Sequence, residues 1–188
     1  MTSPARPYIV GLGGTNRENS STERVLRVAL DAAAAGGAEV DIICGVGLEL
    51  PIYSQNVAER TPAALRLVEQ LRRCDGLVLA SPGYHGSLSG LVKNALDYAE
   101  DLRTDVRPYF SGRAVGCIAT AGGWSAAVNT LGALRDIVHA LRGWPTPMGV
   151  AINSAEQVFD DDGTCQVVRV AQMLELMAGE VMRFARPA

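Results

Sequence analysis

The chain is poor in the residue types that build metal centres and disulfide frameworks. Its 188 residues include two histidines and four cysteines, and no two cysteines form a CxxC pair. The spacing of Cys44, Cys74, Cys117 and Cys165 excludes the common zinc motifs, and a disulfide framework is not expected in a chain of this length. We therefore expect no metal site and four structural thiols, with Cys117 acting as a small hydrophobe inside an apolar strand.

Lysine and net charge are scarce as well. Lys93 is the only lysine, and 17 basic residues against 20 acidic residues give a formal net charge of −3. This balance argues against a nucleic-acid surface and against a polybasic membrane contact. No apolar run is long enough to cross a bilayer, and no basic N-terminal segment precedes an apolar one. A cytoplasmic protein without nucleic-acid or membrane partners is the expectation.

What the sequence does contain is a regular alternation of strand and helix patterns. Apolar runs predict strands at 8–12, 39–44, 76–80, 114–120 and 147–152. Helical patterns follow them at 22–35, 62–73, 88–102, 125–141 and 165–184. The alternation predicts a single α/β domain over residues 1–188, with a three-layer, doubly wound, five-stranded parallel sheet of order 2-1-3-4-5. In this order the loops after the first, third and fourth strands converge.

The loop after the first strand has the composition of a phosphate site. It runs from Gly11 to Thr22 and combines glycines, hydroxyl groups and the guanidinium of Arg17. Glycines let the backbone turn tightly, a helix N-terminus favours an anion, and a guanidinium fork suits phosphate oxygens. A phosphomonoester is the expected guest, with an ordinary hydrophilic turn as the alternative. A GxGxxG loop is excluded because Asn16 replaces its third glycine, and a P-loop is excluded because its lysine is missing.

The loop after the third strand, Ser81–Ser87, carries small residues, one tyrosine, His85 and no acid. Such a loop suits the edge and face of a flat, uncharged ring, and ligands of these sheets bind beyond the carboxyl ends of the strands. A planar cofactor is therefore the first hypothesis.

The loop after the fourth strand contains Gly122 and Gly123, which allow a close approach of backbone to ligand. It also nearly matches the GxSxG nucleophile elbow at Ser125. The only later histidine, His139, lies on the helix that Ser125 would begin and cannot reach back to its own N-terminus. This excludes a hydrolase, and Ser125 is predicted to be the N-cap of that helix.

Three segments in this order resemble the NADPH-dependent FMN reductase family of the flavodoxin-like superfamily. They are Gly14–Ser20, Ser81–Tyr98 and Thr120–Gly123, and the resemblance spans residues 8–152. It implies a flavodoxin-like fold, FMN as cofactor, and NADPH or NADH as hydride donor. The residues that it implies for the FMN phosphate are Thr15, Arg17, Ser20 and Thr22.

The same resemblance places the FMN ring against the second and third loops. The residues implied there are Pro82, Gly83, Tyr84, His85, Thr120, Gly122 and Gly123. Many relatives carry Glu-Tyr-Asn where this chain has Gly83-Tyr84-His85, so an acidic group is lost and a titratable ring is gained. His85 is accordingly a candidate proton donor. The segment Glu49–Tyr53 resembles a loop that approaches the neighbouring subunit in this family.

The function implied is that of an FMN-dependent NAD(P)H oxidoreductase, which passes hydride from nicotinamide to FMN and on to free flavin, a quinone, an azo compound or a similar acceptor. A homodimer or homotetramer is implied, with Leu91, Ala95 and Tyr98 adding apolar surface to the third helix. Two alternatives stay open: a flavin-bearing electron carrier or redox-sensing partner protein without efficient NAD(P)H oxidation, and a domain that has lost its cofactor. Whether reduced flavin passes to a monooxygenase partner is also open.

Overall fold

A parallel sheet flanked by helices forms the centre of the protein. The computed structural model describes residues 6–57, 59–160 and 162–185. The strands are β1 (Tyr8–Gly13), β2 (Glu39–Ile43), β3 (Gly76–Tyr84), β4 (Ser87–Leu88), β5 (Ala114–Ala121) and β6 (Trp144–Asn153). The α-helices are α1 (Ser21–Ala35), α2 (Pro62–Arg73), α3 (Gly90–Asp97), α4 (Trp124–Ala140) and α5 (Val168–Phe184). Short 3-10 turns occur at Gly45–Leu48 and Tyr98–Leu102.

The sheet has the order β2-β1-β3-β5-β6, with the two-residue β4 paired antiparallel to β3. The predicted order 2-1-3-4-5 is confirmed once β4, which was not predicted, is set aside. One apolar core joins α1 and α5 to one face of the sheet, and a second core joins α2, α3 and α4 to the other. The central strands β3 and β5 are buried on both faces, which explains their nearly continuous apolar sequence.

Local capping signals explain where several helices begin. Ser20 caps α1, its Oγ accepting from the amide of Glu23 at 3.3 Å, and Thr61 caps α2 as predicted. The predicted N-cap at Ser125 is wrong. The helix α4 begins at Trp124, because Gly123 is extended and its carbonyl accepts from the amide of Ala127 at 3.1 Å. Ser125 therefore lies exposed inside the first turn.

Strand β3 is longer than predicted, because its pairing partners are distant in sequence. It was expected to end at Ala80, but Ser81 and Pro82 continue the ladder with β5. Gly83 and Tyr84 then pair with β4, so the predicted loop is a β-hairpin. Its two turn residues, His85 and Gly86, have φ of 48° and 90°, as a type I′ hairpin turn requires.

Other element boundaries shift for similar reasons. The predicted helix 88–102 divides into α3 and a 3-10 turn. The last helix begins at Val168, not at Cys165, because Cys165 forms an isolated β-bridge with Phe159. The last strand begins at Trp144, three residues before the predicted start at Pro147, because Trp144 already pairs with Ala114.

Two backbone groups in the first half of β6, an edge strand, are bonded by side chains of the two adjacent helices. The amide of Met148 donates to Oε2 of Glu180 on α5 at 2.8 Å, and Nη1 of Arg135 on α4 donates to the carbonyl of Thr146 at 2.7 Å. Pro147, between them, has no amide hydrogen to offer. This stretch of the edge strand therefore has fewer free backbone groups for another strand to pair with.

The ends of β1 and β3 meet at Gly13 without room for a side chain. A Cβ built on Gly13 would lie 1.8 Å from the carbonyl oxygen of Ala80, and φ at this residue is +150°. The next amide, that of Gly14, donates to the same carbonyl oxygen at 3.1 Å. The start of the first loop is thereby fixed against the end of β3.

We expect Gly13→Ala to lower the free energy of unfolding by about 2–5 kcal/mol, because it adds both a backbone clash and an unfavourable φ. The control is Gly132→Ala in α4, where a Cβ meets nothing within 4 Å. Alanine there should raise stability by about 0.5–1 kcal/mol, as in other helix interiors. Urea denaturation measures both changes, and similar midpoints for the two variants would contradict this account of Gly13.

Candidate functional site

The structure brings the three predicted loops together at the carboxyl edge of the sheet. The first loop contacts β3 through the Gly14 amide described above. Thr22 of α1 and Thr120 of β5 join their hydroxyl oxygens at 2.6 Å, which ties the start of α1 to the loop after β5. Thr130 of α4 donates from Oγ1 to the carbonyl of Ser87 at 3.3 Å and so holds the hairpin. The loops therefore form one connected surface.

The first loop is tightly bent and presents donors. Positive φ values occur at Gly13, Gly14 and Asn19. The Oγ1 of Thr15 accepts from the amide of Arg17 at 3.1 Å, and the side chain of Arg17 is exposed. The first amides of α1 have no acceptor within the helix and carry its partial positive charge. This arrangement is suited to an anion.

Two of the predicted phosphate and ring residues are turned inward. Thr22 and Thr120 are 1% and 2% exposed, and their hydroxyls bond each other. Ser20 is also buried, although its hydroxyl proton is still available for donation while its oxygen caps α1. The buried threonine pair therefore supports the loops from the protein interior, whereas Thr15 and Arg17 lie nearer the solvent.

The hairpin presents its aromatic residue to solvent on a rigid base. Tyr84 is 53% exposed, His85 is exposed at the turn, and Pro82 is buried. The Oγ of Ser81 accepts from the amide of Ser89 at 2.9 Å, which closes the base of the hairpin against the start of α3. A side chain that is to bind a ring needs a fixed support, and this bond gives the hairpin one.

Close packing explains why residue 83 is a glycine in this chain. A Cβ there would lie 2.6 Å from Oγ1 of Thr130 and 3.2 Å from the Cβ of Ala121. The hairpin thus packs directly on α4 at this position, which leaves no room for a side chain.

Unlike Gly83, Gly122 and Gly123 have open space beside them. A Cβ on either would meet no atom within 4 Å, and neither has φ in the left-handed region. Packing and backbone conformation therefore do not require glycine at these positions. The open space beside the backbone leaves room for a ligand to lie against these two positions.

Two residues of the helical half of the Ser81–Tyr98 segment have roles that sequence reasoning missed. Asn94 accepts from the amide of Tyr53 at 2.8 Å and donates to the carbonyl of Pro51 at 3.0 Å. The hydroxyl of Tyr98 donates to the same carbonyl at 3.0 Å. These contacts fix the segment after β2 so that Ile52 is 84% exposed. They join residues more than forty positions apart, so no local signal could have revealed them.

The prediction that Leu91, Ala95 and Tyr98 add external apolar surface is wrong for two of them. Ala95 and Tyr98 are 0% and 2% exposed because they pack into the core under α3. Leu91 alone of the three is partly exposed.

The segment after β2, which contains Tyr53, is also held by a charged contact. Arg60 forms a two-pronged pair with Asp101, at 2.7 and 2.8 Å, and lies over the ring of Tyr53 at 4.8 Å. Hydrogen bonding from Arg60 holds the pKa of the Asp101 carboxyl below its usual range. The segment is thus anchored from two directions.

Cys74 and Cys117 have the buried environment of structural thiols, whereas Cys44 and Cys165 are partly exposed. Burial raises the pKa of Cys74 to about 11 and that of Cys117 to about 12, so neither is a thiolate at neutral pH. Among the described residues no three His, Cys, Asp or Glu side chains cluster as a metal site would require. Within the same ranges, no helix has the length and apolarity needed to cross a membrane.

Comparison with solved structures defines the class of fold as flavodoxin-like. FerB, a flavoenzyme NAD(P)H:(acceptor) oxidoreductase from Paracoccus denitrificans, superposes with a TM-score of 0.79 at 21% identity, covering 95% of this chain and 97% of that one. A flavodoxin, WrbA-like protein from Agrobacterium tumefaciens gives a TM-score of 0.63 at 14% identity, covering 96% and 98%. At these identities the likeness establishes the fold.

Sequence comparison then gives the family. The model of the NADPH-dependent FMN reductase family matches residues 7–157. An NAD(P)H-dependent FMN reductase of Pseudomonas aeruginosa is 30% identical over 159 residues, 82% of each chain. An FMN-dependent NADPH-azoreductase of Staphylococcus aureus is 38% identical over 98 residues, 52% of this chain and 48% of that relative. The chain belongs to the NADPH-dependent FMN reductase family and is an FMN-dependent oxidoreductase that uses NAD(P)H.

We expect Gly83→Ala to lower stability by about 1–3 kcal/mol, because the new methyl group overlaps Thr130. Thr130→Ala removes that overlap and costs about 1 kcal/mol for its bond to Ser87. The double variant should therefore be more stable than the sum of the two changes predicts, and a double-mutant cycle by urea denaturation measures the difference. Strict additivity would show that Gly83 and Thr130 do not constrain each other.

Proposed function

We propose that the first loop holds the phosphate of FMN while the hairpin and the Gly122–Gly123 pair hold its ring. The assignment is supported by the open space beside Gly122 and Gly123 (the glycine cradle), at the edge of the sheet where the three loops meet. The exposed Tyr84 and the exposed guanidinium of Arg17 lie on the same connected surface. FMN bound there would supply the redox chemistry of hydride transfer from nicotinamide and electron transfer to an acceptor.

The phosphate is held by Arg17, Thr15, Ser20 and the first amides of α1 in this proposal. Arg17 offers the charge and the fork of donors that a phosphate prefers, and the amides add the helix dipole. Thr22 and Thr120 have a positioning role here and do not contact the cofactor directly. Their mutual bond keeps the start of α1 beside the end of β5.

The ring is placed against Pro82, Gly83, Tyr84 and His85 of the hairpin. The hairpin itself carries no carboxylate. His85 lies exposed at the turn, where its imidazole can donate a proton to a bound acceptor. The hairpin therefore places no negative charge beside a bound aromatic acceptor.

The proposed acceptor is a flat aromatic compound such as a quinone, an azo compound or free flavin. The relatives are named FMN reductase and azoreductase, and both names fit such an acceptor. A second exposed aromatic residue, Trp124, supports this choice. It is 52% exposed beside the glycine cradle, and its Nε1 donates to Oε1 of Glu156 at 3.0 Å. An indole held in one orientation is well suited to stacking.

Two other candidate functions can each be tested by one observation. Transfer of reduced flavin to a monooxygenase partner requires FMN to leave, so retention of FMN on gel filtration would argue against it. An electron carrier without efficient NAD(P)H oxidation needs a strongly charged docking face, and a net charge of −3 gives little steering. Prompt bleaching of the bound flavin by anaerobic NADPH separates the reductase from the carrier.

A homodimer is proposed through the face that carries Ile52 and Leu91. Ile52 is held outward by Asn94 and Tyr98, so its exposure is imposed by fixed contacts. An apolar side chain in that position is stabilised by burial against a second copy. Sedimentation analysis of the purified protein decides between a monomer, a dimer and a tetramer.

We expect Arg17→Ala to weaken FMN binding by about 10–100-fold, the loss of one charge-assisted phosphate contact, with little change in thermal midpoint. Flavin fluorescence titration measures the affinity. The matched control is Arg103→Ala, an exposed arginine whose contact with Glu100 is a 3.8 Å surface pair. Equal FMN affinity in the two variants would remove Arg17 from the phosphate site.

We expect Gly122→Ala to leave the free energy of unfolding within about 0.5 kcal/mol of the original, because its methyl group enters open space in the free protein. FMN affinity should nevertheless fall, since the methyl group occupies the volume assigned to the ring. Urea denaturation and flavin titration of the same variant measure the two effects separately. Unchanged FMN affinity would show that the ring does not lie against this glycine.

A further inference from the structure

Two aromatic side chains are half exposed at the carboxyl edge of the sheet. Trp124 is the first residue of α4, directly after the glycine cradle, and is 52% exposed. Tyr84 of the hairpin is 53% exposed. Two further exposed aromatic residues, Trp144 and Phe184, line a separate cleft at the amino ends of β5 and β6. Ligands of parallel sheets bind at the carboxyl edge, so Trp124 and Tyr84 are the aromatic residues placed to meet one.

The indole of Trp124 is held by an acid from a distant part of the chain. Its Nε1 donates to Oε1 of Glu156, thirty-two positions later, at 3.0 Å. The same oxygen accepts from Nδ2 of Asn153 at 3.1 Å. A hydrogen bond to an ionised acceptor is stronger than one between neutral groups, and two donors on one oxygen restrict the carboxylate. The indole is therefore fixed although half of it faces solvent.

The turn that carries Glu156 is itself fixed to the end of β5. The amide of Ser154 donates to the carbonyl of Ala121, the residue before the glycine cradle, at 2.7 Å. Within the turn, the amide of Glu156 donates to the carbonyl of Asn153, and the amide of Ala155 donates to Oδ1 of the same asparagine, both at 3.1 Å. Asn153 is the last residue of β6 and pairs with Ala121 in the sheet. Glu156 thus holds the indole from a support that belongs to the sheet.

Neither burial nor capping accounts for a tryptophan at position 124. Half of the indole faces solvent, and the first turn of α4 is closed by the backbone bond between Gly123 and Ala127. A flat ring that lies on a fixed indole gains stacking without the entropy cost of ordering that side chain. A compact acceptor without rings gains nothing from it. The held indole therefore favours acceptors with extended aromatic rings.

We propose that Glu156 is a positioning residue for acceptor binding, because its bond to Trp124 fixes the indole as a stacking surface beside the glycine cradle. The acceptor class that this surface selects is the fused or conjugated aromatic compound, such as a naphthoquinone, in preference to a compact ion. The inference rests on the proposed function, since the acceptor must lie where it can take electrons from FMN at the cradle. It assigns acceptor selection to two side chains outside the hairpin.

The test is steady-state kinetics of the FMN-loaded protein at saturating NADPH, with menadione as the flat acceptor and ferricyanide as the compact one. We expect Glu156→Ala to raise the KM for menadione about 2–10-fold, the loss of one aromatic contact, and to affect kcat much less. Glu156→Gln keeps an oxygen that accepts from the indole, so its KM for menadione should match that of the unsubstituted protein. The two variants remove the same charge, so their KM values for ferricyanide should agree. Glu175→Ala, which removes an exposed acid of α5, is the charge-matched control.

A spectroscopic measurement follows the indole directly. The chain has two tryptophans, so Trp144→Phe, at the opposite end of β5, leaves Trp124 as the single indole. We expect the fluorescence anisotropy decay of Trp124 to show an immobile ring in this background and with Glu156→Gln added. With Glu156→Ala added, the decay should show fast motion of the ring. This measurement needs no turnover.

Equal KM values for menadione in Glu156→Ala and Glu156→Gln would overturn the proposal, as would an equally immobile indole in both. A rise in the KM for ferricyanide in Glu156→Ala alone would also overturn it, because the substitution would then damage the site for every acceptor. Failure of NADPH to reduce either acceptor through the unsubstituted protein would instead count against the proposed function.

In that case, quenching of Trp124 fluorescence by menadione decides the inference without turnover. We expect saturable quenching in the Trp144→Phe background, weakened about 2–10-fold in affinity by Glu156→Ala and retained by Glu156→Gln. Absence of saturable quenching, or equal affinity in the two variants, would overturn the proposal.

Discussion

The close contact between Gly13 and the carbonyl of Ala80 is the constraint on which the site depends. Two parallel strands can deliver their following loops to one point only if the chain leaves the first strand without colliding with the second. Glycine removes the side chain that would collide, and the adjacent Gly14 amide turns the contact into a hydrogen bond. The start of α1, and with it every donor proposed for the phosphate, is positioned from this contact.

A small set of buried hydroxyl contacts then joins the three loops into one rigid surface. The hydroxyls of Thr22 and Thr120 bond each other, and the Oγ of Ser81 accepts from the amide of Ser89. The Oγ1 of Thr130 donates to the carbonyl of Ser87. Each such bond contributes about 1 kcal/mol to stability, but together they fix the positions of loops that come from separate parts of the chain. A cofactor site built this way loses little conformational freedom when it is filled.

The features that sequence predicted are those encoded by neighbouring residues. The apolar runs of β1 and β5, the cap at Thr61 and the glycines of the first loop are local patterns, and the strand order follows from general rules of handedness. The extension of β3 to Tyr84 was missed because its partners lie in β5 and β4. The inward orientation of Thr22 depends on Thr120, ninety-eight positions away, and no periodicity encodes such a contact.

The features of the candidate site also fall into those that sequence could predict and those that it could not. The proposed phosphate loop and the proposed glycine pair could be predicted from composition and order, since their chemistry is carried by residue type. The anchoring of the segment after β2 by Asn94 and Tyr98 could not, because the same residues read as an ordinary helix face until the fold is known. The burial of Ala95 has the same explanation, since it depends on the apolar core into which α3 packs.

The bonded stretch of β6 around Pro147 restricts how copies of this protein can associate. Glu180 and Arg135 bond one amide and one carbonyl of this edge strand, and Pro147 offers no amide between them. A sheet that continued across two molecules through this stretch would have to break both contacts before it gained any of its own. Strand pairing between copies is thus disfavoured at this part of β6, while the opposite edge strand, β2, is not protected by these two contacts.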